Sequence, residues 1–259
     1  MADGDYERGR GREIAAIAAE LRRFAAGRSA AAACTSVLVL NGWSASPRAW
    51  DLCRFPRERI FSYVDQLDGL PEARLSAAEP GERFVLVGWS MGGSSALRLA
   101  CRFPDRVAAL VLVAATPRMM EDKETGWRGM SPHRLAALEY GLKATHGEGF
   151  FGAPEGTPNP YMMDSDDNLT RGLDYLRETD LRDELVRARL SCPARILQSE
   201  RDGIVRVDNA RFLGSVIPDS TVEIVPGAEH ALPVTVPGRI DAAVMHFLDA
   251  KSAKETNHE

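Results

Sequence analysis

The stretch from Phe84 to Gly93 constrains the fold of this chain more than any other. It begins as a continuous apolar run and ends in Gly-Trp-Ser-Met-Gly, which fits the pattern G-x-S-x-G with Ser90 at its centre. Apolar residues at helical spacing follow from Ala96 to Phe103. A buried strand, a sharp turn and a helix form the context that a nucleophile elbow requires. The stretch therefore predicts that Ser90 is a catalytic serine.

Glycines lie two positions before and two positions after this serine. Gly88 and Gly92 leave room where a side chain would collide with the neighbouring strand or helix. The alternative interpretation is a glycine-rich strand-to-helix turn in which the serine has no chemical role.

Length and composition exclude several classes of protein. A chain of 259 residues can bury one large core, with or without a small insertion. Its net charge of −5 argues against a general nucleic-acid binder. No apolar run approaches the roughly 20 residues that span a membrane. The N-terminal residues are charged and lack a continuous apolar segment, so we expect no secretory signal and a cytoplasmic location.

The cysteines show no spacing typical of a metal site, and we expect neither a metal nor a cofactor. Small, buried or half-buried thiols in a reducing compartment are the expected state of all four. They are Cys34, Cys53, Cys101 and Cys192.

Buried apolar runs alternate with helical patterns along most of the chain. This alternation predicts an α/β fold, with a mostly parallel, doubly wound sheet. Strands are expected at 36–40, 60–64, before Ser90, and at 107–114, 194–198 and 221–225. Helices are expected after Ser90, near 132–145, 168–177 and 206–216, and again close to the C-terminus.

The same patterns divide the chain into five parts. Residues 1–34 form a helical extension, which either docks or dimerises, packs on its own domain, or is expendable. Residues 35–117 and 187–250 form the two parts of the core. Residues 118–186 are rich in charge, glycine and proline, and we expect a helical cap inserted at one edge of the sheet. Residues 251–259 form a polar tail.

A serine hydroxyl needs a base, and His230 is the best candidate. It follows a predicted strand, at the end of the sheet where open α/β folds place their sites. The other histidines lie in the insertion, the last helix or the tail. Asp202 also follows a predicted strand, and serine, acid, histidine is a known chain order for such triads. Glu200 and Asp180 are rival acids, and an ordinary polar loop residue is the alternative for His230.

The oxyanion formed in acyl transfer needs fixed hydrogen-bond donors. We predict the backbone N–H groups of Met91, which follows the serine, and of Trp43, in the loop after the first strand. The side chains of Trp43 and Trp89 either line an apolar acyl pocket or pack the elbow. With Phe150 and Phe151 they are candidates to line a substrate channel.

These residues resemble the α/β-hydrolase superfamily over roughly residues 35–250. The motifs that carry the resemblance are Asn41-Gly42-Trp43, Trp50, Gly88 to Gly93, Phe103 to Val107, and the Asp202 and His230 loops. Within the superfamily, the chain resembles the pimeloyl-acyl-carrier-protein methyl ester esterases of biotin synthesis. Further matches to that group are Pro117, Trp127, the Leu173 to Leu176 region and Thr179 to Arg182.

The resemblance implies a cofactor-free serine carboxylesterase with a helical cap over the serine. Its substrate would be the methyl ester of a carrier-bound dicarboxylic acyl chain, which makes acyl carrier protein a candidate partner. Two alternatives stay open. The first is a general short-chain carboxylesterase or lactonase, and the second is a non-catalytic, hydrolase-like binding protein.

The chain also departs from that family's pattern. Asn41 stands where the family usually has histidine, so local hydrogen bonds are expected to differ. The helix before the elbow strand is expected to be shortened or lost. An acidic carrier protein would be drawn to a basic rim, but the cap carries mixed charge. Its cations Lys123, Arg128, Arg134, Lys143 and Arg171 are expected to face the acids Glu121, Asp122, Glu124, Asp164, Asp166 and Asp167.

Overall fold

A computed structural model describes residues 35–145, 159–162 and 166–255. The predicted N-terminal helix, Cys34, Phe150, Phe151 and Asp164 lie outside these ranges, as do residues 256–259 of the polar tail. Within the described ranges, no helix is both long and apolar enough to cross a membrane.

Six parallel strands form one sheet, in the order β2-β1-β3-β4-β5-β6. The strands are β1 (Thr35–Leu40), β2 (Arg59–Phe61), β3 (Arg83–Trp89), β4 (Val107–Val113), β5 (Ala194–Ser199) and β6 (Ser220–Val225). The helices are α1 (Tyr63–Leu67), α2 (Leu70–Ser76), α3 (Met91–Arg102), α4 (Pro132–Thr145), α5 (Asp166–Glu178), α6 (Arg182–Ala188), α7 (Val207–Val216), α8 (Leu232–Thr235) and α9 (Pro237–Glu255). The predicted α/β fold with a parallel sheet is confirmed.

Alternating side chains of the central strands build a core on each face of the sheet. Leucines and an isoleucine point to the face covered by α2, α3, α6 and α7: Leu38, Leu40, Leu86, Leu110, Leu112 and Ile196. Valines point to the face covered by α9: Val37, Val39, Val85, Val87, Val111 and Val113. Because both faces are covered, the strands read as continuous apolar runs rather than as alternating ones.

The predicted strand at 60–64 is wrong at its C-terminal end. β2 stops at Phe61, and Ser62 is the N-cap of α1, which begins at Tyr63. The Ser62 hydroxyl accepts a hydrogen bond from the Asp65 N–H at 3.1 Å, and the Asp65 carboxylate accepts from the Ser62 N–H at 2.8 Å. This capping box is strong enough to start a helix inside an apolar run. The helix before the elbow strand is short, as expected, but it is present as α2.

The segment between β4 and β5 contains α4, α5 and α6. α4 and α5 lie where helices were predicted, whereas α6 was not predicted separately. Side chains of α4 and α5 pack with Trp43, Tyr63 and Met91, beyond the carboxyl ends of the strands. The division of the chain into core and cap remains a prediction.

Candidate active site

Ser90 lies at the junction of β3 and α3, in a strained backbone conformation. Its φ and ψ angles are 55° and −117°, values that non-glycine residues rarely adopt. A Cβ atom on Gly88 would lie 2.4 Å from the Gly92 carbonyl oxygen, and one on Gly92 would lie 2.0 Å from the Leu40 carbonyl oxygen. Only glycine fits at both positions, so these two residues permit the close backbone approach that presents Ser90 at the end of the sheet.

His230 connects Ser90 to Asp202 through two hydrogen bonds. Its Nδ1 lies 2.8 Å from the Asp202 Oδ2, and its Nε2 lies 3.0 Å from the Ser90 Oγ. An ionised carboxylate only accepts hydrogen bonds, so Nδ1 carries the hydrogen and Nε2 is left to accept from the serine hydroxyl. The side chain of His230 is only 10% exposed and that of Asp202 is fully buried. This arrangement can remove a proton from Ser90.

Asp202 is held in its charged form by its surroundings. Burial disfavours the charge, but the attraction of His230, its hydrogen bond, and the N–H groups of Val205 and Ile204 outweigh that effect. Together they hold the pKa of Asp202 below its usual range. Both N–H groups donate to the Asp202 Oδ1 at 2.8 Å. Gln198 adds a hydrogen bond to Oδ2 at 3.1 Å.

The rival acids have other partners. Glu200 accepts a hydrogen bond from the Gly227 N–H at 2.8 Å. Asp180 pairs with Arg118 and Arg182. The structure therefore brings Asp202, and not Glu200 or Asp180, to His230.

One of the two predicted oxyanion donors follows Ser90 in the sequence, and the other precedes it. Met91 follows Ser90 as the first residue of α3, where a backbone N–H has no acceptor within the helix. Trp43 lies in the loop after β1. Across the described residues, neither N–H has a hydrogen-bond acceptor. Both donors are thus available to a ligand.

Asn41 organises the loop that carries Trp43. Its Oδ1 accepts hydrogen bonds from the Gly42 N–H and the Trp50 Nε1, both at 3.0 Å. Its Nδ2 donates to the Ala45 carbonyl oxygen at 2.8 Å. Asn41 is fully buried, so these bonds cross-link the loop away from solvent. The expected change in local hydrogen bonding is therefore a defined asparagine network.

A small apolar cavity of about 30 Å³ opens onto Ser90 and His230. Most of its lining comes from α4, α5 and the loops around them: Trp43, Ser44, Met119, Leu135, Leu138, Leu142, Leu176 and Ile204. Such a volume holds one or two water molecules. The cavity suits a short apolar group beside the serine.

A sequence model of the alpha/beta hydrolase fold matches residues 41–235. The chain belongs to the α/β-hydrolase family. It is 32% identical to the pimeloyl-[acyl-carrier protein] methyl ester esterase of Vibrio atlanticus, over 75% of this chain and 87% of that protein. It is 28% identical to the enzyme of the same name from Pectobacterium carotovorum, over 83% and 95%. An esterase structure from Exiguobacterium antarcticum superposes with a TM-score of 0.68 at 18% identity, over 85% of this chain and 93% of that one.

The two tryptophans that were predicted to lie near Ser90 in this hydrolase occupy different places. Trp43 lines the cavity and donates from its Nε1 to the Leu169 carbonyl oxygen in α5 at 3.0 Å. Trp89 is 1% exposed and lies behind the serine, against Trp50 and the valine face of the core. Its Nε1 donates to the His230 carbonyl oxygen at 3.0 Å. Trp89 therefore packs the elbow and steadies the His230 loop, the second of its two predicted roles.

Most of the cations that were predicted to face acids in the cap of this hydrolase already have an ion-pair or hydrogen-bond partner. Lys143 pairs with Glu139, Arg171 with Asp68, and Arg128 with Asp208. Arg134 donates to the Gly203 carbonyl oxygen, beside Asp202. The acids in these pairs differ from those predicted, because folding brings Asp68 and Asp208 to the rim from the core. The mixed charge of the segment remains.

The described cysteines are free thiols with raised pKa values. Burial raises the pKa of Cys53 and of Cys101 to about 12, and that of Cys192 to about 11. Thiolates are therefore scarce near neutral pH, and these residues are poor nucleophiles. Across the described residues, no group of three or more His, Cys, Asp or Glu side chains could hold a metal ion.

Sequence reasoning missed three kinds of site residue. The cavity-lining leucines of α4 recur at helical spacing, but nothing in that pattern says that they face the serine. Gln198 supports Asp202 from the end of β5. Ser44 shares the cavity with Ser90, and its signal was present: a serine directly after Asn41-Gly42-Trp43, where the chain turns sharply.

Proposed function

We propose that this α/β hydrolase is a serine carboxylesterase in which Ser90, His230 and Asp202 form a catalytic triad. The observation that carries the proposal is the continuous hydrogen-bond chain from the Ser90 Oγ through His230 to Asp202, at 3.0 and 2.8 Å. The geometry places the His230 Nε2 where it can take the Ser90 proton, and the Nδ1 where it faces the Asp202 carboxylate, as acyl transfer needs. A non-catalytic binding protein would have no use for this arrangement on a strained elbow.

Acylation follows from the geometry. The Ser90 Oγ attacks the ester carbonyl carbon while the His230 Nε2 takes the hydroxyl proton. The buried charge of Asp202 stabilises the imidazolium that forms. The carbonyl oxygen becomes an oxyanion, and the Met91 and Trp43 N–H groups donate to it. When the carbonyl re-forms, the bond to the alcohol breaks, and His230 gives its proton to the departing alkoxide.

Deacylation reverses the proton path. Water attacks the acyl group on Ser90 and loses a proton to the His230 Nε2. The tetrahedral intermediate uses the same two N–H donors. It collapses when the Ser90 oxygen departs and takes the proton from His230. The products are a carboxylic acid and the free enzyme, and no cofactor enters the cycle.

The substrate we propose is the methyl ester of a pimeloyl chain carried by acyl carrier protein, in biotin synthesis in the cytoplasm. The names of the relatives from Vibrio atlanticus and Pectobacterium carotovorum support this substrate, as does the coverage of nearly their full length. Acyl carrier protein would then dock outside the cap.

A general short-chain carboxylesterase or lactonase is the second candidate. Two observations favour it: the cavity holds few atoms, and Lys143, Arg171 and Arg128 are paired with acids. Paired cations attract an acidic carrier less than free ones do.

Complementation separates the two candidates. The gene is expressed in a bacterial strain that lacks its biotin-pathway esterase, on medium without biotin, with Ser90→Ala as the matched control. Growth with the wild type and none with Ser90→Ala supports the carrier-linked substrate. No growth, with Ser90-dependent hydrolysis of p-nitrophenyl acetate by the pure protein, favours the short-chain esterase.

A further inference from the structure

Ser44 carries a buried hydroxyl without a hydrogen-bond partner among the described residues. The residue is fully buried and lines the same cavity as Ser90 and His230. Buried polar groups in folded proteins are nearly always hydrogen-bonded, so an orphan hydroxyl needs an explanation. We expect a bound ligand in the cavity to supply the missing partner of Ser44, since the described residues supply none.

The backbone at Ser44 is also unfavourable for serine. It is the third residue of a turn from Gly42 to Ala45, closed by the Ala45 N–H donating to the Gly42 carbonyl oxygen at 3.2 Å. Its φ of 59° lies in the left-handed region, and glycine is the residue that such a turn position prefers. Folding alone therefore favours glycine here on two counts, strain and the unpaired hydroxyl. Residues held in this way cluster at functional sites.

Neighbouring serines do not share this property. The Ser46 hydroxyl, two residues further on in the same loop, donates to the Pro160 carbonyl oxygen at 2.9 Å and accepts from the Arg48 N–H at 3.1 Å. The Ser94 hydroxyl, in α3, donates to the Thr116 carbonyl oxygen at 2.7 Å. Of these three serines, only Ser44 has a hydroxyl without a partner among the described residues, and Ser44 directly follows the proposed oxyanion donor Trp43.

We propose that the Ser44 hydroxyl donates a third hydrogen bond to the carbonyl oxygen of a carboxylic ester as it becomes an oxyanion. The inference rests on the proposed serine esterase function and adds a side-chain donor to the Trp43 and Met91 N–H groups. The serine keeps its proton throughout, so the donor stabilises charge and takes no part in proton transfer. A donor on a fixed turn in an apolar cavity needs little reorganisation when the charge develops.

Two substitutions of Ser44 and one of Ser46 test this role with p-nitrophenyl acetate. Ser44→Ala and Ser44→Gly both remove the hydroxyl, but only glycine relieves the backbone strain. We expect kcat to fall about 100- to 1,000-fold in both, with KM nearly unchanged and no loss of melting temperature. Ser46→Ala removes a satisfied hydroxyl, so it is expected to lower the melting temperature while kcat is retained.

Inhibition by butylboronic acid gives a second readout, because a boronate on Ser90 is tetrahedral and places an oxygen in the oxyanion position. Its inhibition constant is expected to rise in Ser44→Ala by about the same factor as kcat falls. Wild-type kcat in both Ser44 variants, a change in KM alone, or recovery of kcat in Ser44→Gly would each overturn the inference. If Ser90→Ala abolishes turnover while Ser44→Ala does not change it, only the Ser44 role fails. A wild type without turnover overturns both proposals.

Discussion

One close backbone contact helps to fix the position of Ser90. Gly92 approaches the Leu40 carbonyl oxygen so closely that a Cβ would lie 2.0 Å from it. The contact joins the start of α3 to the end of β1, and the proposed oxyanion loop begins one residue later, at Asn41. The elbow and the loop are therefore positioned by the same atoms.

Gly92→Ala is predicted to destabilise the fold by about 1–3 kcal/mol, the usual cost of forcing an extra carbon into a packed site. Ester turnover is expected to fall as well, since relief of the clash moves α3 away from β1. Urea denaturation measures the first effect and p-nitrophenyl acetate hydrolysis the second. Gly238→Ala is the matched control, because a Cβ there meets nothing within 4 Å. Equal stability of the two variants would contradict this account of the elbow.

Sequence reasoning reached residues whose signal is local. Ser90, Asp202 and His230 each follow an apolar run. Such a run marks the end of a buried strand, so these positions can be recognised in the sequence. The Asn41 network was not predictable in detail, because its partner Trp50 is brought close only by folding. The strain at Ser44 depends in the same way on the turn that closes around it. Local motifs are therefore visible in the sequence, whereas hydrogen-bond partners across loops are not.

At the scale of elements, α4 sets the size of the cavity. Leu135, Leu138 and Leu142 lie at spacings of three and four and present one face of α4 to Ser90. Tyr140 lies on the opposite face and is 76% exposed. Substrate selection by chain length is expected to depend on the first face and not on the second.

Leu138→Ala is predicted to widen the cavity and to shift preference toward longer acyl chains. The ratio of kcat/KM for p-nitrophenyl octanoate to that for the acetate is expected to rise roughly 10-fold, a common size for such pocket effects. Tyr140→Ala, in the same helix, is expected to leave the ratio unchanged. An unchanged ratio in Leu138→Ala would mean that the acyl chain lies elsewhere.

An ion-pair cluster fastens the segment after β4 to the start of α6. Arg182 contacts Asp122 at 2.7 Å and Asp180 at 2.8 Å. Hydrogen bonds from Arg182 and then Thr125 lower the pKa of Asp122 to about 2, from an ordinary 3.8. The pKa of Asp180 is also lowered, because its bonds with Arg182 outweigh the effect of burial. A lowered carboxyl pKa stabilises the fold above the ordinary value, and the benefit is lost as pH falls toward the folded value.

Arg182→Met is therefore predicted to lower the melting temperature by a few degrees near neutral pH. The difference from wild type should shrink as pH falls from about 4 to about 2, where the carboxylates become protonated. Arg211→Met is the control, because Arg211 is 72% exposed and its contact with Asp208 is long, at 3.5 Å. A difference that persists unchanged at pH 2 would show that Arg182 acts through packing, on Trp127 for example, and not through charge.

Elements differed in how far the sequence predicted them. The core strands and α3 could be predicted because both faces of the sheet are buried. Burial on both faces gives long apolar runs in the sequence. β2 and α1 were merged into one strand, since the apolar run from Ile60 to Val64 outweighed the Ser62–Asp65 capping signal. α6 was missed because seven residues of mixed charge show little periodicity.

For the whole molecule, the parallel sheet explains why residues far apart in sequence meet. Ser90, Asp202 and His230 follow β3, β5 and β6, and parallel strands bring their carboxyl ends to one edge. The segment between β4 and β5 then covers that edge with α4 and α5. The sheet positions the three proposed catalytic residues, and α4 and α5 are expected to determine which substrates fit.

Reaction with a fluorophosphonate probe tests the central claim most directly. The pure protein is treated with the probe, and the adduct is located by intact mass and peptide mapping while hydrolysis of p-nitrophenyl acetate is followed. One adduct on Ser90 is predicted, with turnover lost in proportion to labelling, and Ser90→Ala should show neither adduct nor turnover. An adduct on another residue, or turnover retained by Ser90→Ala, would contradict the assignment of Ser90 as the nucleophile.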